Sequence, residues 1–294
     1  MQLNEFWKVY QRENSLEPTT VATYNAAIAV FNRWFRIEFG KTPELHNIGS
    51  DEINDFLIAI DDGRSSYSVK SAKSQLMALL NAARRQGRCS FDPERIRKIK
   101  TNGTPKDFWR IEEVNQLLKA CDELRGRFRQ TQILKTRYAK AYIAVVWDTA
   151  LRRGDMAKLR TGSIVDLEFS HPRSKTGVTD VCRVSMETWR LIQITYDENC
   201  SDRRLIFPAW RNGLDPLRAV SDLFNDVLKR SSLRASDSCL KKLVRSSMME
   251  ADFRAPGTAW LQGHHSSPNT TMQHYANRQQ ANLNRPKNRP LTCE

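Results

Sequence analysis

The sequence contains no run of 18 apolar residues and no Gly-x-x-x-x-Gly-Lys-[Ser/Thr] segment. The first absence excludes a membrane-spanning helix, and the second a phosphate-cradling loop of the ATPase type. Six cysteines (Cys89, Cys121, Cys182, Cys200, Cys239 and Cys293) are scattered without a Cys-x-x-Cys pair. That spacing argues against a zinc knuckle, and so few thiols in 294 residues argue against a disulfide scaffold. The opening Met-Gln-Leu-Asn-Glu-Phe-Trp-Lys has neither the charged start nor the apolar run of a signal peptide. Internal repeats are missing, as is low-complexity sequence before the polar tail 277–294. A reducing, cytoplasmic location fits these absences.

Positive charge is plentiful. Lys and Arg number 47 against 33 Asp and Glu, giving a net charge of +14. Such an excess predicts a polyanionic partner, most often nucleic acid. Residues 1–100 account for only +3 of it, which leaves +11 to the remainder. The anion is therefore expected to meet the second part at least as strongly as the first.

The first hundred residues read as helices. Val21, Tyr24, Ala27, Ile28, Phe31, Trp34 and Phe35 recur at a helical period over Val21–Phe39. The preceding Glu17-Pro18-Thr19-Thr20 supplies a start signal with threonine caps. A short helix from Ser50 ends at Asp62-Gly63, and a longer one runs from Ser66 to Gln86. The outer face of the longer helix carries Lys70, Lys73, Arg84 and Arg85. The basic stretch Arg95–Lys106, with Lys98 and Lys100, reads as a flexible connector; it lies along a phosphate backbone or is simply solvated. Residues 1–100 then form one domain, 101–106 the linker and 107–294 a second domain ending in the tail 277–294.

In the second domain Trp109–Leu118 starts a helix, and Tyr138–Asp148 is apolar enough to be buried. Strands are expected only at Ile164–Phe169 and Val181–Val184, with Lys175-Thr176-Gly177 as the turn between them. Helices follow near Glu187–Tyr196, Ala219–Leu228, Leu240–Glu250 and Ala259–Leu261. Thr149-Ala-Leu-Arg152-Arg-Gly-Asp155-Met comes directly after the buried helix, so Arg152 leaves a helix end with Asp155 near enough to hold it. Lys175 lies 23 residues beyond Arg152, and His264 lies 23 residues beyond Lys241. Tyr275 closes the run Leu261-Gln-Gly-His-His-Ser-Ser-Pro-Asn-Thr-Thr-Met-Gln-His-Tyr-Ala. A phenol is a weak nucleophile, its pKa lying near ~10, unless neighbouring bases or positive charge favour the phenolate.

This order of arginine, hairpin lysine, helix-borne base, Gly-His and tyrosine resembles the tyrosine recombinases, or phage integrases. The match rests on Thr-Ala-Leu-Arg-Arg-Gly-Asp-Met, on Ser174-Lys-Thr-Gly, and on Leu-Gln-Gly-His through Gln-His-Tyr-Ala; it covers nearly the whole chain. The resemblance implies a mainly α protein: an all-α N-terminal core-binding domain and an α-rich catalytic domain with a small antiparallel β-sheet, clamped around double-stranded DNA. It implies strand cleavage through a 3′-phosphotyrosyl intermediate, in a homotetramer on paired sites, without metal, cofactor or ATP. By the same resemblance Tyr275 attacks, Arg152 stabilises the charge on the non-bridging oxygens, Lys175 protonates the leaving oxygen, and His264 or His265 hydrogen-bonds the phosphate.

Two departures stand out. The family's second box reads His-x-x-Arg, whereas the aligned residues here are Ser238-Cys-Leu-Lys241. Lysine keeps the charge and loses the two-pronged contact. Arg245, one turn on, is the other candidate for that role, and Lys242 a third. In addition, Tyr275 stands eleven residues after His264 and ten after His265, more than in most relatives.

Overall fold

A computed structural model describes residues 1–101, 106–172, 179–195, 204–209 and 216–257. The chain divides into two compact units, Met1–Thr104 and Pro105–Glu294, each with its own apolar core.

Unit one consists of α1 (Leu3–Asn14), α2 (Pro18–Phe39), α3 (Ser50–Ala59) and α4 (Ser66–Arg85). Helix α2 opens with Glu17 as N-cap and Pro18 in its first turn, where the missing N–H costs nothing. Thr19 and Thr20, expected as caps, consequently fall inside the helix. It buries Ala27, Ile28, Phe31 and Phe35 and stops at Gly40, whose φ of 66° is the left-handed region glycine enters freely. Helix α4 is capped by Ser65, which accepts from the Ser68 N–H at 3.3 Å, and turns Val69, Leu76, Leu79, Leu80 and Ala83 inward. Phe31 meets Phe56 edge-on with centroids 4.9 Å apart, and this contact joins α2 to α3. Helix α1 was not foreseen. It is largely polar, and only Leu3, Phe6 and Trp7 are buried from it.

The connector differs from expectation over its first residues. Asn54 brackets the backbone, its Nδ2 donating to Arg95 O at 3.0 Å and its Oδ1 accepting from Arg97 N at 2.8 Å. Arg97 pairs with Asp61 at 2.6 Å, Lys73 donates to Arg97 O, and Ile96 is buried. Residues 95–97 thus belong to unit one, fastened to α3 and α4 rather than free.

Unit two contains α5 (Ile111–Ala120), α6 (Lys135–Thr149), α7 (Arg153–Met156), β1 (Ile164–Val165), β2 (Glu168–Pro172), β3 (Thr179–Arg183), α8 (Met186–Gln193), α9 (Pro216–Arg230) and α10 (Cys239–Arg254). Helix α6 is buried on nearly every side, as its composition predicted. Tyr142 lies against Phe207 and Phe224, with centroids 5.0 and 5.1 Å away. Helices α8, α9 and α10 pack on α6 or on one another. The strand expected over Ile164–Phe169 is two strands, because Asp166 and Leu167 take φ of 51° and 67° and turn the chain back on itself. The sheet runs β1-β2-β3, all antiparallel, with Ile164 opposite Phe169 and Phe169 opposite Cys182 on the buried face. Val165 and Val181 point to the exposed face, as the period-two rule requires. This mainly α architecture with one small antiparallel sheet agrees with the class read from the sequence. None of the helices among the described residues is long and apolar enough to cross a membrane.

Candidate functional site

The Arg152 box is shaped by the end of α6. Thr149 Oγ1 donates to Val145 O at 2.6 Å, and Ala150 adopts φ 50°, ψ 25°, closing the helix with its N–H on Val146 O. A left-handed alanine costs about 1 kcal/mol; here it reverses the chain so that Arg152 becomes the N-cap of α7. The Arg152 side chain is half-buried and meets no hydrogen-bond or ion-pair partner among the described residues. Asp155 sits beneath the same turn, 5% exposed, its N–H on Arg152 O at 2.9 Å. The next residue behaves differently: the Arg153 guanidinium donates to Leu217 O at 3.2 Å and to Ser221 Oγ, tying α7 to α9.

The second box lies on α10, which packs along α6; Ser247 Oγ donates to Trp147 O at 2.6 Å across that contact. Ser238 is the N-cap, and Lys241 follows in the first turn, exposed and without a partner among the described residues. Arg245 is 1% exposed. Its Nη1 and Nη2 donate to the two carboxylate oxygens of Asp237 at 3.0 and 2.6 Å, and its Nε donates to Asp107 O at 2.9 Å. Each of its nitrogens is engaged and the side chain is buried, so in this arrangement Arg245 is not presented to an external phosphate. Lys242 is also buried, donating to Asp107 Oδ2 at 2.6 Å and Arg234 O at 2.9 Å, with its ammonium 4.8 Å from the Trp109 ring centre.

Burial pushes the Asp107 carboxyl up, but hydrogen bonds from Lys242 and Ser236 and the charges of Lys242 and Arg245 outweigh it. They hold the group below the usual carboxylate range. Sequence reading missed Asp107. Its only local signal is an acid at the entry to a basic domain, and its partners lie 135 and 138 residues away.

Lys175, His264, His265 and Tyr275 lie outside the described residues, as do the Lys175-Thr176-Gly177 turn, the helix expected at Ala259–Leu261 and the tail 277–294. The strands flanking Lys175, β2 and β3, pair antiparallel with His171 opposite Asp180 and Pro172 opposite Thr179.

The basic residues of unit one can be placed one by one. Lys70, Arg84, Arg85, Lys98 and Lys100 are exposed. Arg84 lies over the Phe91 ring at 5.8 Å. Lys73 is half-buried; burial first, and then the like charge of Lys98, lowers its pKa. Two ammonium groups close enough to repel one another form a locality that an anion would relieve.

Comparisons with known proteins place this arrangement. No family model matches the sequence, and no curated protein matches it. Solved structures do. A lambda integrase dimer bound to a COC′ core site shares 17% identity over 98% of this chain and 99% of that one, with a TM-score of 0.74. XerH site-specific recombinase bound to palindromic difH substrate shares 14% over 94% and 81%, with a TM-score of 0.68. The Tn1549 transposon integrase in complex with circular intermediate DNA shares 12% over 94% and 95%, also with a TM-score of 0.68. At such identities the likeness speaks for architecture, and on it the chain has the tyrosine recombinase fold.

Proposed function

We propose that the protein is a site-specific DNA recombinase or integrase that cuts and rejoins strands through a 3′-phosphotyrosyl intermediate. In this reading Tyr275 attacks the scissile phosphorus and the 5′ oxygen leaves, taking a proton from Lys175. Arg152 and Lys241 meet the non-bridging oxygens, with His264 or His265 hydrogen-bonded beside them. No net bond energy is spent, because the phosphodiester is exchanged for a phosphotyrosyl ester. Guanidinium and ammonium groups set in advance around developing charge stabilise it without reorganisation. Residues 1–100 are the core-binding domain, gripping duplex DNA through Lys70, Lys73, Arg84, Arg85, Lys98 and Lys100. Residues 107–294 are the catalytic domain, joined to the first by 101–106.

The observation that carries the reading is the state of Arg152 and Lys241. Arg152 follows the end of α6 by three residues and Lys241 stands on α10, which packs along α6; they are the cations of the two boxes that no protein group engages among the described residues. Cations left open in this way suit an external anion. A solved neighbour is a lambda integrase tetramer bound to a Holliday junction, sharing 19% identity with a TM-score of 0.73. By analogy this chain assembles as a homotetramer on paired sites.

A second reading is favoured by Lys241 standing where the family places arginine: a recombinase-like DNA-binding protein with weak or no cleavage. One experiment separates them. The protein is incubated with a pool of nicked duplexes of randomised sequence, and covalent complexes that survive detergent are recovered and sequenced. Strand cleavage yields an adduct that is absent from Tyr275→Phe. The second reading yields salt-sensitive retention of DNA with no adduct.

A further inference from the structure

Asp107 stands in sequence immediately before the Phe108-Trp109 entry to α5 and reaches the start of α10 at several points. Its Oδ2 accepts from Lys242 at 2.6 Å, its Oδ1 accepts from Ser236 and lies 3.6 Å from Arg245 Nη2, and its carbonyl accepts from Arg245 Nε at 2.9 Å. The loop leading into α10 is fixed from both sides. Arg234 O accepts from Lys242 at 2.9 Å and from Trp109 Nε1 at 3.3 Å, and Asp237 holds Arg245 with both oxygens. Trp109 N donates to Ser246 Oγ at 2.7 Å, so the same entry segment also grips α10 farther along. Ser238 and Lys241 sit between these fastenings.

Such a lattice is more than the helix needs in order to form. Two buried cations are kept in the protein only because paired carboxylates accompany them, an arrangement that adds little net stability over apolar packing. What it does supply is a fixed rotation and entry angle for the first turn of α10.

From this we infer that Asp107 is a positioning residue: acting through Lys242 and Arg245, it sets where Lys241 presents its ammonium to the scissile phosphate. The inference rests on the strand-cleavage reading and makes Arg245 part of the support rather than a phosphate ligand. Lys241 carries one compact charge on a flexible stem, without the rigid fork of an arginine. Its aim therefore depends more on the backbone that carries it.

The test uses the full-length protein and the duplex recovered by covalent selection, in two forms. One has an ordinary scissile phosphate, the other a methylphosphonate, which lacks the negative charge that Lys241 meets. Asp107→Asn is expected to slow adduct formation by about ten- to a hundredfold on the phosphate, the scale of a misplacement near 1 Å, and to leave DNA affinity unchanged. On the methylphosphonate the penalties of Asp107→Asn and Lys241→Ala both shrink, and the double variant on phosphate is no slower than Lys241→Ala alone. Lys242→Met, which keeps its stem on Trp109, is expected to reproduce the pattern if Asp107→Asn does not fold. Equal slowing on both substrates, or penalties that multiply with Lys241→Ala, marks a merely structural role and overturns the inference. A wild-type rate in both Asp107→Asn and Lys242→Met overturns it as well, while leaving the cleavage reading intact. Absence of any adduct from the wild-type protein overturns the cleavage reading and the inference together.

Discussion

Two pairs of neighbouring cations in unit two carry like charge in opposite circumstances. Arg152 and Lys241 meet no partner among the described residues, whereas Arg153 is tied to α9, and Arg245, one turn after Lys241, is 1% exposed and locked to Asp237 and Asp107. The sign of the charge does not distinguish the members of each pair; the partners that the fold brings to them do. A cation whose donors are consumed holds the protein together, and one whose donors are left over is free to meet something else.

The largest effect that would sharpen this contrast comes from the locked side. Arg245→Met strands the Asp237 carboxylate, removes the donor to Asp107 O, and is expected to cost about 3–5 kcal/mol of stability, read from denaturant unfolding. On the open side, Arg152→Ala and Lys241→Ala are expected to leave unfolding within about 0.5 kcal/mol of wild type. Each is also expected to slow covalent adduct formation by about 10²–10³. A large loss of stability in either would erase the distinction. Arg153→Ala is the smaller counterpart: without its bonds to Leu217 O and Ser221 Oγ, the protein is expected to lose about 1–2 kcal/mol and to cleave at a rate close to normal. The smallest effect is in pH. The depressed Asp107 carboxyl contributes its stability in full above the unfolded value of about 3.9, and that contribution is lost as pH falls through the lower folded value. Below about pH 4 the wild type is therefore expected to lose stability more steeply than Asp107→Asn in thermal scans.

Much of the architecture was legible because it is local. The apolar periods of α2, α4 and α6 and the strand-forming run around Val181 announce themselves within a few turns. Features that depend on remote partners were not. Helix α1 buries only Leu3, Phe6 and Trp7, too thin a stripe to mark a helix. The fastening of Arg95–Arg97 requires Asn54 and Asp61, which lie dozens of residues earlier in the chain. The division of Ile164–Phe169 turns on left-handed backbone at Asp166 and Leu167, and leucine gives no hint of that. At the site, Arg152 and Lys241 could be named from their boxes, but the choice between Lys241 and Arg245 could not. The burial of Arg245 depends on Asp237 and also on Asp107, 138 residues earlier.

The setting of Trp109 has an optical consequence. The residue is 1% exposed, held by its backbone N–H on Ser246 Oγ and its indole Nε1 on Arg234 O, and covered by the ammonium of Lys242 4.8 Å from the ring centre. Fluorescence colour follows the charge and wetness around an indole, so any loosening at the head of α10 would trade a fixed cation and a dry wall for water and shift this emission. The chain therefore contains its own dye at the head of α10, and difference spectra against Lys242→Met would isolate its signal from the other tryptophans.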